Sequence, residues 1–300
     1  MNEVQQIAPD VVRIPVSIGN CYLVGNRQTW VLVDTGPEGH ARKILKIAED
    51  HFGRGARPAA IVLTHGHFDH AGSAGKLAER WDLPIHAHRL EVPFLTGKSK
   101  YPPPDPTVGG FMAQMIRFFP NKAYDYGDRV QEVPSSVKSL GMKGWELIET
   151  PGHSPGHVSF FRESDRVLLA GDAFATVDQT SAYKVLTMKP EVSLPPNYYT
   201  CDWESAHRSV QELADREPEV IGAGHGEPMS GVEANQGLRR LADEWPQPRH
   251  GRYIAHPAET DEDGVQYLPP RVPDPVKWVS LGVAGAAIGA GVWWKKRRAA

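Results

Sequence analysis

From Thr64 to His70 the chain reads Thr-His-Gly-His-Phe-Asp-His, directly after the apolar run Ala59-Ala60-Ile61-Val62-Leu63. Three imidazoles and a carboxylate this close together are a metal-site signature. A strand ending in a tight turn at Gly66 can aim His65 and His67 at one ion, leaving Asp69 and His70 for a second about 3.5 to 4 Å away, the spacing of two-metal sites. Imidazole nitrogen and carboxylate oxygen together suit zinc, with iron or manganese as alternatives. The absence of thiolate argues against a structural zinc knuckle.

Further donors occur where a sheet would present them. His153 sits in Thr150-Pro151-Gly152-His153-Ser154-Pro155-Gly156-His157, after the strand-like Glu146-Leu147-Ile148-Glu149. Asp172 follows Val167-Leu168-Leu169-Ala170 in Gly171-Asp172-Ala173, and His225 follows Glu219-Val220-Ile221-Gly222-Ala223 in Gly224-His225-Gly226. In each case a short apolar run ends in a Gly-flanked His or Asp, which is how a sheet lines up donors along one edge.

The order His-x-His-x-Asp-His, then His, Asp and His, resembles the metallo-β-lactamase-fold superfamily of metallo-hydrolases, over roughly residues 10–240. Within it, Thr150 to His157 resembles glyoxalase II-like and lactonase-like members. The resemblance implies an α/β chain folded as an αββα sandwich with a two-metal site at its edge. It assigns His65, His67 and His153 to one metal, Asp69, His70 and His225 to the other, and Asp172 to a bridge between them. Asp34, after Thr29-Trp30-Val31-Leu32-Val33, matches the acidic residue that supports such sites from behind. The expected cofactor is a pair of divalent ions, with Zn2+ ahead of Fe or Mn.

The expected reaction is hydrolysis of an ester, thioester, lactone or amide by a metal-bound hydroxide, since two bridged metals bring water's pKa near neutrality. Asp69 would orient the hydroxide and pass a proton to the leaving group, so Asp69 and Asp172 are the catalytic candidates. The stretch after His225 does not look like the basic helical domain with which glyoxalase II grips glutathione. His67 stands where the superfamily's diiron flavoproteins carry Glu. Two alternatives are a mononuclear non-haem iron dioxygenase of the persulfide type and a non-catalytic binding protein stabilised by metal.

The other histidines read differently. His40, His51, His207, His250 and His256 are bystanders on the base rate for single histidines. His86, His88 and His157 are placed to approach the site as outer hydrogen-bond partners. A formal net charge of -3 over 300 residues leaves no basic surface for nucleic acid, so the expected partner is a small-molecule substrate. Cys21 and Cys201 lie outside the motifs and read as free thiols, which fits a reducing compartment.

Stepping along the chain, strands are expected near Val11 to Ile14, Cys21 to Val24, Thr29 to Asp34 and Pro84 to Ala87. Helices are expected from His40 to Phe52 and from Gly72 to Arg80. A second set follows: strands at Glu146 to Thr150, His157 to Phe161, Arg166 to Ala170 and Glu219 to Ala223, with helices at Trp203 to Arg216 and Val232 to Glu244. Two sheets packed between helices fit this order. The hydrolase domain is expected over 1–244, with a substrate-lid insertion at 93–126. In that insertion Phe111, Met112, Met115 and Phe119 either line an apolar pocket or anchor the insertion to the body. A loop over 179–200 offers Tyr183, Lys184, Tyr198 and Tyr199 as groups that could polarise a substrate carbonyl.

A Pro-rich linker is expected at 245–275. Beyond it, 276–300 reads as a C-terminal hydrophobic helix and membrane anchor: Trp278 to Trp294 is uncharged and is followed by Lys295-Lys296-Arg297-Arg298. At about 17 residues it is at the short limit for a transmembrane helix. Gly285-Ala-Ala-Ile-Gly289 is a small-xxx-small pattern that could pair two copies into a homo-dimer. Met1 to Ile18 has no signal-peptide pattern, so the enzyme domain is expected on the cytoplasmic face of the membrane.

Overall fold

The computed structural model describes residues 3–119 and 123–274. The first sheet has seven strands in sequence order: β1 (Gln5–Ala8), β2 (Val11–Val16), β3 (Gly19–Gly25), β4 (Trp30–Val33), β5 (Ala60–Val62), β6 (Ile85–Ala87) and β7 (Val130–Glu132). The pairs from β1 to β4 are antiparallel, and those from β4 to β7 are parallel. The second sheet runs β12-β11-β10-β9-β8, from β8 (Trp145–Glu149), β9 (Val158–Arg162), β10 (Val167–Gly171), β11 (Val220–Ala223) and β12 (Met229–Ser230). Here β10 and β11 are parallel and the other pairs antiparallel.

Side-chain alternation along the strands explains the layering. Leu23, Leu32 and Ile61 pack with Ile44, Ala48, Leu77 and Trp81 of helices α1 (Ala41–Phe52) and α3 (Ala74–Trp81). Their neighbours Val24, Val31, Val33 and Val62 face the other way, onto Val158, Phe160, Val167 and Leu169 of the second sheet. Phe161, Leu168 and Ile221 turn to the far side of that sheet. There they meet Val210 and Leu213 of α7 (Trp203–Asp215) and Leu238 and Leu241 of α8 (Gly231–Glu244). Strands of period two, apolar on both faces, are the pattern of sheets covered on both sides. The result is an αββα sandwich.

Four shorter α-helices lie among the described residues: α2 (Phe68–Ala71), α4 (Val92–Leu95), α5 (Phe111–Met115) and α6 (Ala182–Thr187). The helix expected from Gly72 to Arg80 forms as α3, starting two residues later, and α2 precedes it. The backbone turns at Gly72 and Ser73 because a Cβ on Gly72 would sit 2.4 Å from the Glu38 amide nitrogen. The stretch expected to be linker folds onto the body over 245–274. It carries a hairpin of β13 (Glu259–Asp261) and β14 (Gly264–Tyr267), and its buried Tyr253 packs with Cys201 and Trp203.

The expectation of a transmembrane helix, and with it a membrane location and a membrane-facing enzyme domain, is corrected. Among the described residues no helix is long and apolar enough to cross a membrane. A span needs about 20 apolar residues, whereas α8, the longest helix described, has 14 and only one apolar face. The segment 276–300, on which the anchor and the homo-dimer were argued, lies outside the described residues.

Candidate metal centre

All seven expected donors follow the carboxyl ends of strands. β4 and β5 run parallel, as do β10 and β11, so their ends open on the same edge of the sandwich. Thr64 to His67 leave β5, and the single turn of α2 carries Asp69 and His70. His153 sits in the loop from β8 to β9, Asp172 follows β10, and His225 follows β11 after Gly224. A backbone hydrogen bond of 2.9 Å from Val158 to the Thr64 carbonyl ties the two sheets together at this edge.

Asp172 is the centre of the arrangement. Its Oδ2 lies 3.1 Å from His225 Nε2, 3.4 Å from His70 Nε2, 3.4 Å from His153 Nε2 and 4.0 Å from His65 Nε2. His67 Nδ1 is 3.0 Å from His153 Nε2, and Asp69 Oδ2 is 3.5 Å from His225 Nε2. Three groups have donor atoms mutually within 4.8 Å: His65, His67 and His153; Asp69, His70 and His225; and His65, His70 and Asp172. Every one of these residues is buried.

The donor set fits divalent metal. His65 Nε2, His70 Nε2, His153 Nδ1 and Asp172 Oδ1 are buried and have no hydrogen-bond partner. Such orphaned atoms each carry a desolvation penalty that a cation would relieve. Burial holds His65 and His153 well below the ordinary imidazole pKa, and lowers that of His67 to about 3. Neutral imidazole is the form that binds metal. Burial would push the Asp172 carboxyl up, but the His225 and His70 imidazoles beside it outweigh that and hold it well below the carboxylate range.

Outer hydrogen bonds fix which ring nitrogen faces inward. His70 Nδ1 is 2.8 Å from Asp34 Oδ2, and His225 Nδ1 is 2.6 Å from the Ile18 carbonyl, so each ring donates outward and turns Nε2 to the centre. The Thr64 amide and hydroxyl both donate to Asp34 at 2.8 Å, and that hydroxyl lies 3.1 Å from His65 Nδ1. Asp34 takes a left-handed backbone, φ 60°, to aim its carboxylate this way. Non-glycine residues hold such conformations where the surroundings demand them.

Of the three histidines expected nearby, His157 accepts the Asp172 backbone N–H at 2.8 Å and so anchors the loop that carries that carboxylate. His86 and His88 belong to none of the three groups. His88 instead pairs with Glu149 at 3.4 Å. Met112 and Phe119 pack with Tyr198 and Tyr199, so these parts of the insertion rest on the 179–200 loop. Tyr199 stacks on His67 with ring centroids 4.4 Å apart, and the Tyr198 hydroxyl donates to Gln179. Lys184 is paired with Asp178 and Glu191, and Tyr183 is exposed.

Glu91 escaped the sequence reading. Fully buried, it accepts from the Gly66 amide at 2.9 Å and the Tyr101 hydroxyl through one oxygen, and from Ser154 Oγ at 2.8 Å and the Gly156 amide at 2.7 Å through the other. It therefore clasps the His65/His67 turn to the His153 loop. The one signal in the sequence was an acid set among Leu90, Val92, Phe94 and Leu95.

Comparison with known proteins agrees with this geometry. The family model described as "Metallo-beta-lactamase superfamily" matches residues 14–225. The "Probable metallo-hydrolase YflN" of Bacillus subtilis (strain 168) is 40% identical over 242 residues, 79% of this chain and 92% of that one. "Hydroxyacylglutathione hydrolase GloC" of Haemophilus influenzae is 24% identical over 165 residues, 54% of this chain and 70% of that one. Among solved structures, TTHA1623 in a di-iron-bound form superposes with a TM-score of 0.50 at 27% identity, covering 74% of this chain and 96% of that one.

Proposed function

Because the chain belongs to the metallo-beta-lactamase superfamily, we propose that it is a hydrolase that uses two divalent metal ions to cleave an ester, thioester, lactone or amide. His65, His67 and His153 would hold one ion, Asp69, His70 and His225 the other, and Asp172 both. The observation that carries this reading is the position of Asp172 Oδ2, within 4.0 Å of four imidazole nitrogens drawn from three separate segments of the chain. A carboxylate so placed suits a bridge better than a partner to any single ring. Zn2+ suits the nitrogen-rich donor set, and iron is the alternative because the similar TTHA1623 is described in a di-iron-bound form.

Ions at these positions would supply Lewis acidity and lower the pKa of water towards neutrality. The chain's own part is orientation and proton handling. Asp34, Thr64 and the Ile18 carbonyl fix the ring tautomers. Burial raises the pKa of Asp69, against the pull of the His70 and His225 imidazoles. Asp69, whose Oδ2 lies 3.5 Å from His225 Nε2, would take a proton from the attacking water and hand it to the departing alcohol, thiol or amine. Water adds to the acyl carbon, the bond from that carbon to oxygen, sulfur or nitrogen breaks, and a carboxylate leaves with the protonated leaving group.

The test is a panel of a lactone, a thioester, a phosphodiester and a β-lactam, assayed before and after metal stripping. Turnover of an acyl substrate that vanishes with a chelator and returns with Zn2+ supports the proposal. Oxygen consumption with a persulfide on a single iron, without hydrolysis, replaces it with the dioxygenase.

A further inference from the structure

Beside the metal centre lies a cavity of about 220 Å³ that His225 helps to line and whose other walls come from the β2–β3 hairpin, α5 and the 177–198 segment. That volume is below the roughly 300–1,000 Å³ of sites for drug-sized ligands, so it suits one arm of a small substrate. Its apolar lining is Ile18, Met112, Val177, Val185 and Met188.

The polar side chains of Arg13, Asn20, Tyr198 and Gln179 on its wall, and of Lys184 beside it, already have partners. Arg13 donates to both oxygens of Glu227 and, through Nε, to Asn20 Oδ1 at 2.7 Å. The Asn20 amide donates to the carbonyls of Ala223 and Gly226 at 2.9 and 2.8 Å. The Tyr198 hydroxyl is turned to Gln179 at 2.9 Å. Lys184, next to Val185 on α6, is held by Asp178 and Glu191 at 3.0 and 2.7 Å. The cavity therefore offers an anionic substrate arm little uncommitted positive charge, while its apolar side chains reward burial of methylene groups. A larger cavity of about 530 Å³, behind the same segment and against α8, is lined by none of the seven metal-centre residues.

Resting on the hydrolase reading above, we propose that the 220 Å³ cavity is an acyl pocket. It takes the uncharged aliphatic chain of a short-to-medium acyl thioester, ester or lactone and delivers the scissile carbonyl towards His225 and Asp69. The specificity-determining residues are Met112 from the insertion and Val185 and Met188 from α6 and its end. The leaving group is outside this recognition, so a glutathione thioester is cleaved according to its acyl chain.

The experiment uses the full-length, metal-loaded chain and a series of acetyl, butyryl, octanoyl and palmitoyl thioesters of one thiol. The pocket predicts a rise of about tenfold in kcat/KM from acetyl to butyryl, the factor for burying two methylenes, and a fall at palmitoyl. Val185→Trp, on a helix that has no fully buried residue, should lower the octanoyl-to-acetyl ratio by about tenfold or more at unchanged metal content. Independently of turnover, sodium octanoate should shift the methyl resonances of Met112 and Met188 in methionine-methyl-labelled protein, assigned with M112L and M188L. Cleavage with a flat chain-length profile and unmoved Met112 and Met188 signals overturns the acyl pocket and leaves the hydrolase standing. Failure to cleave any acyl substrate overturns the hydrolase reading, and the methionine shifts then decide whether the cavity binds alkyl chains.

Discussion

Two buried carboxylates outside the seven candidate donors shape the arrangement of those donors. Asp34 sets the tautomer of His70 and, through Thr64, that of His65. Removing such a partner typically costs 10- to 100-fold in metal affinity or activity. Asp34→Asn is accordingly expected to weaken metal binding roughly tenfold to a hundredfold, measured by competition with a chromogenic chelator. Glu91 differs in kind, since it accepts four hydrogen bonds from three loops and none from an imidazole. Glu91→Ala strands the Gly66 and Gly156 amides and should cost about 3 kcal/mol or more in denaturant unfolding, with metal affinity falling as well. The seven candidate donors drew notice in the sequence because His65, His67, His153, Asp172 and His225 each stand beside a glycine after an apolar run, and Asp69 and His70 complete the first of these motifs. Glu91 did not, because its partners are two amides and two hydroxyls brought together only by the fold.

At the scale of elements, the site depends on how closely strand ends approach. β10 and β11 come together where the Gly224 amide meets the Gly171 carbonyl at 2.7 Å. A Cβ on Gly224 would lie 2.0 Å from Asp172 Oδ1 and 2.6 Å from His70 Cε1. Gly224→Ala should therefore displace the central carboxylate and reduce bound metal, while far-UV circular dichroism stays that of a folded sandwich. The strands that form the two inner layers were readable from their runs of Val, Ile and Leu, with ends displaced by one or two residues: Glu146 to Thr150 was expected where Trp145–Glu149 forms, and Arg166 to Ala170 where Val167–Gly171 forms. The edge strands β1, β7 and β12 were missed. Each has at most four residues and is partly exposed, so none carries an apolar run to signal it. Helix α3 was read with its start two residues early, because the turn at Gly72 and Ser73, where Gly72 packs against the Glu38 backbone, carries no signal in the hydrophobic spacing.

At the scale of the whole molecule, the chain after α8 returns across the insertion. Tyr253 is buried and donates to the Pro103 carbonyl at 2.8 Å, while the Ala258 amide donates to the Cys201 carbonyl at 3.0 Å. The 245–274 segment thus braces both the insertion and the loop leading into α7. Composition suggested a linker because prolines and charges dominate there, and the few buried residues, Tyr253 above all, are too sparse to set up a period. Tyr253→Ala should destabilise the protein by about 3 kcal/mol or more, near the range for deleting a buried aromatic. Thermal melting at constant metal content measures it, and an unchanged melting temperature would show that the segment merely lies on the surface.

The proposed hydrolase turns on Asp172 serving two metal positions. The most direct measurement is metal equivalents per chain, by elemental mass spectrometry on the stripped protein titrated with Zn2+, with thioester hydrolysis followed in the same samples. The account predicts about two equivalents per chain, and about one or fewer, with hydrolysis lost, in Asp172→Asn. Wild-type protein that saturates at a single equivalent, or a D172N variant that keeps both ions and full turnover, would contradict it.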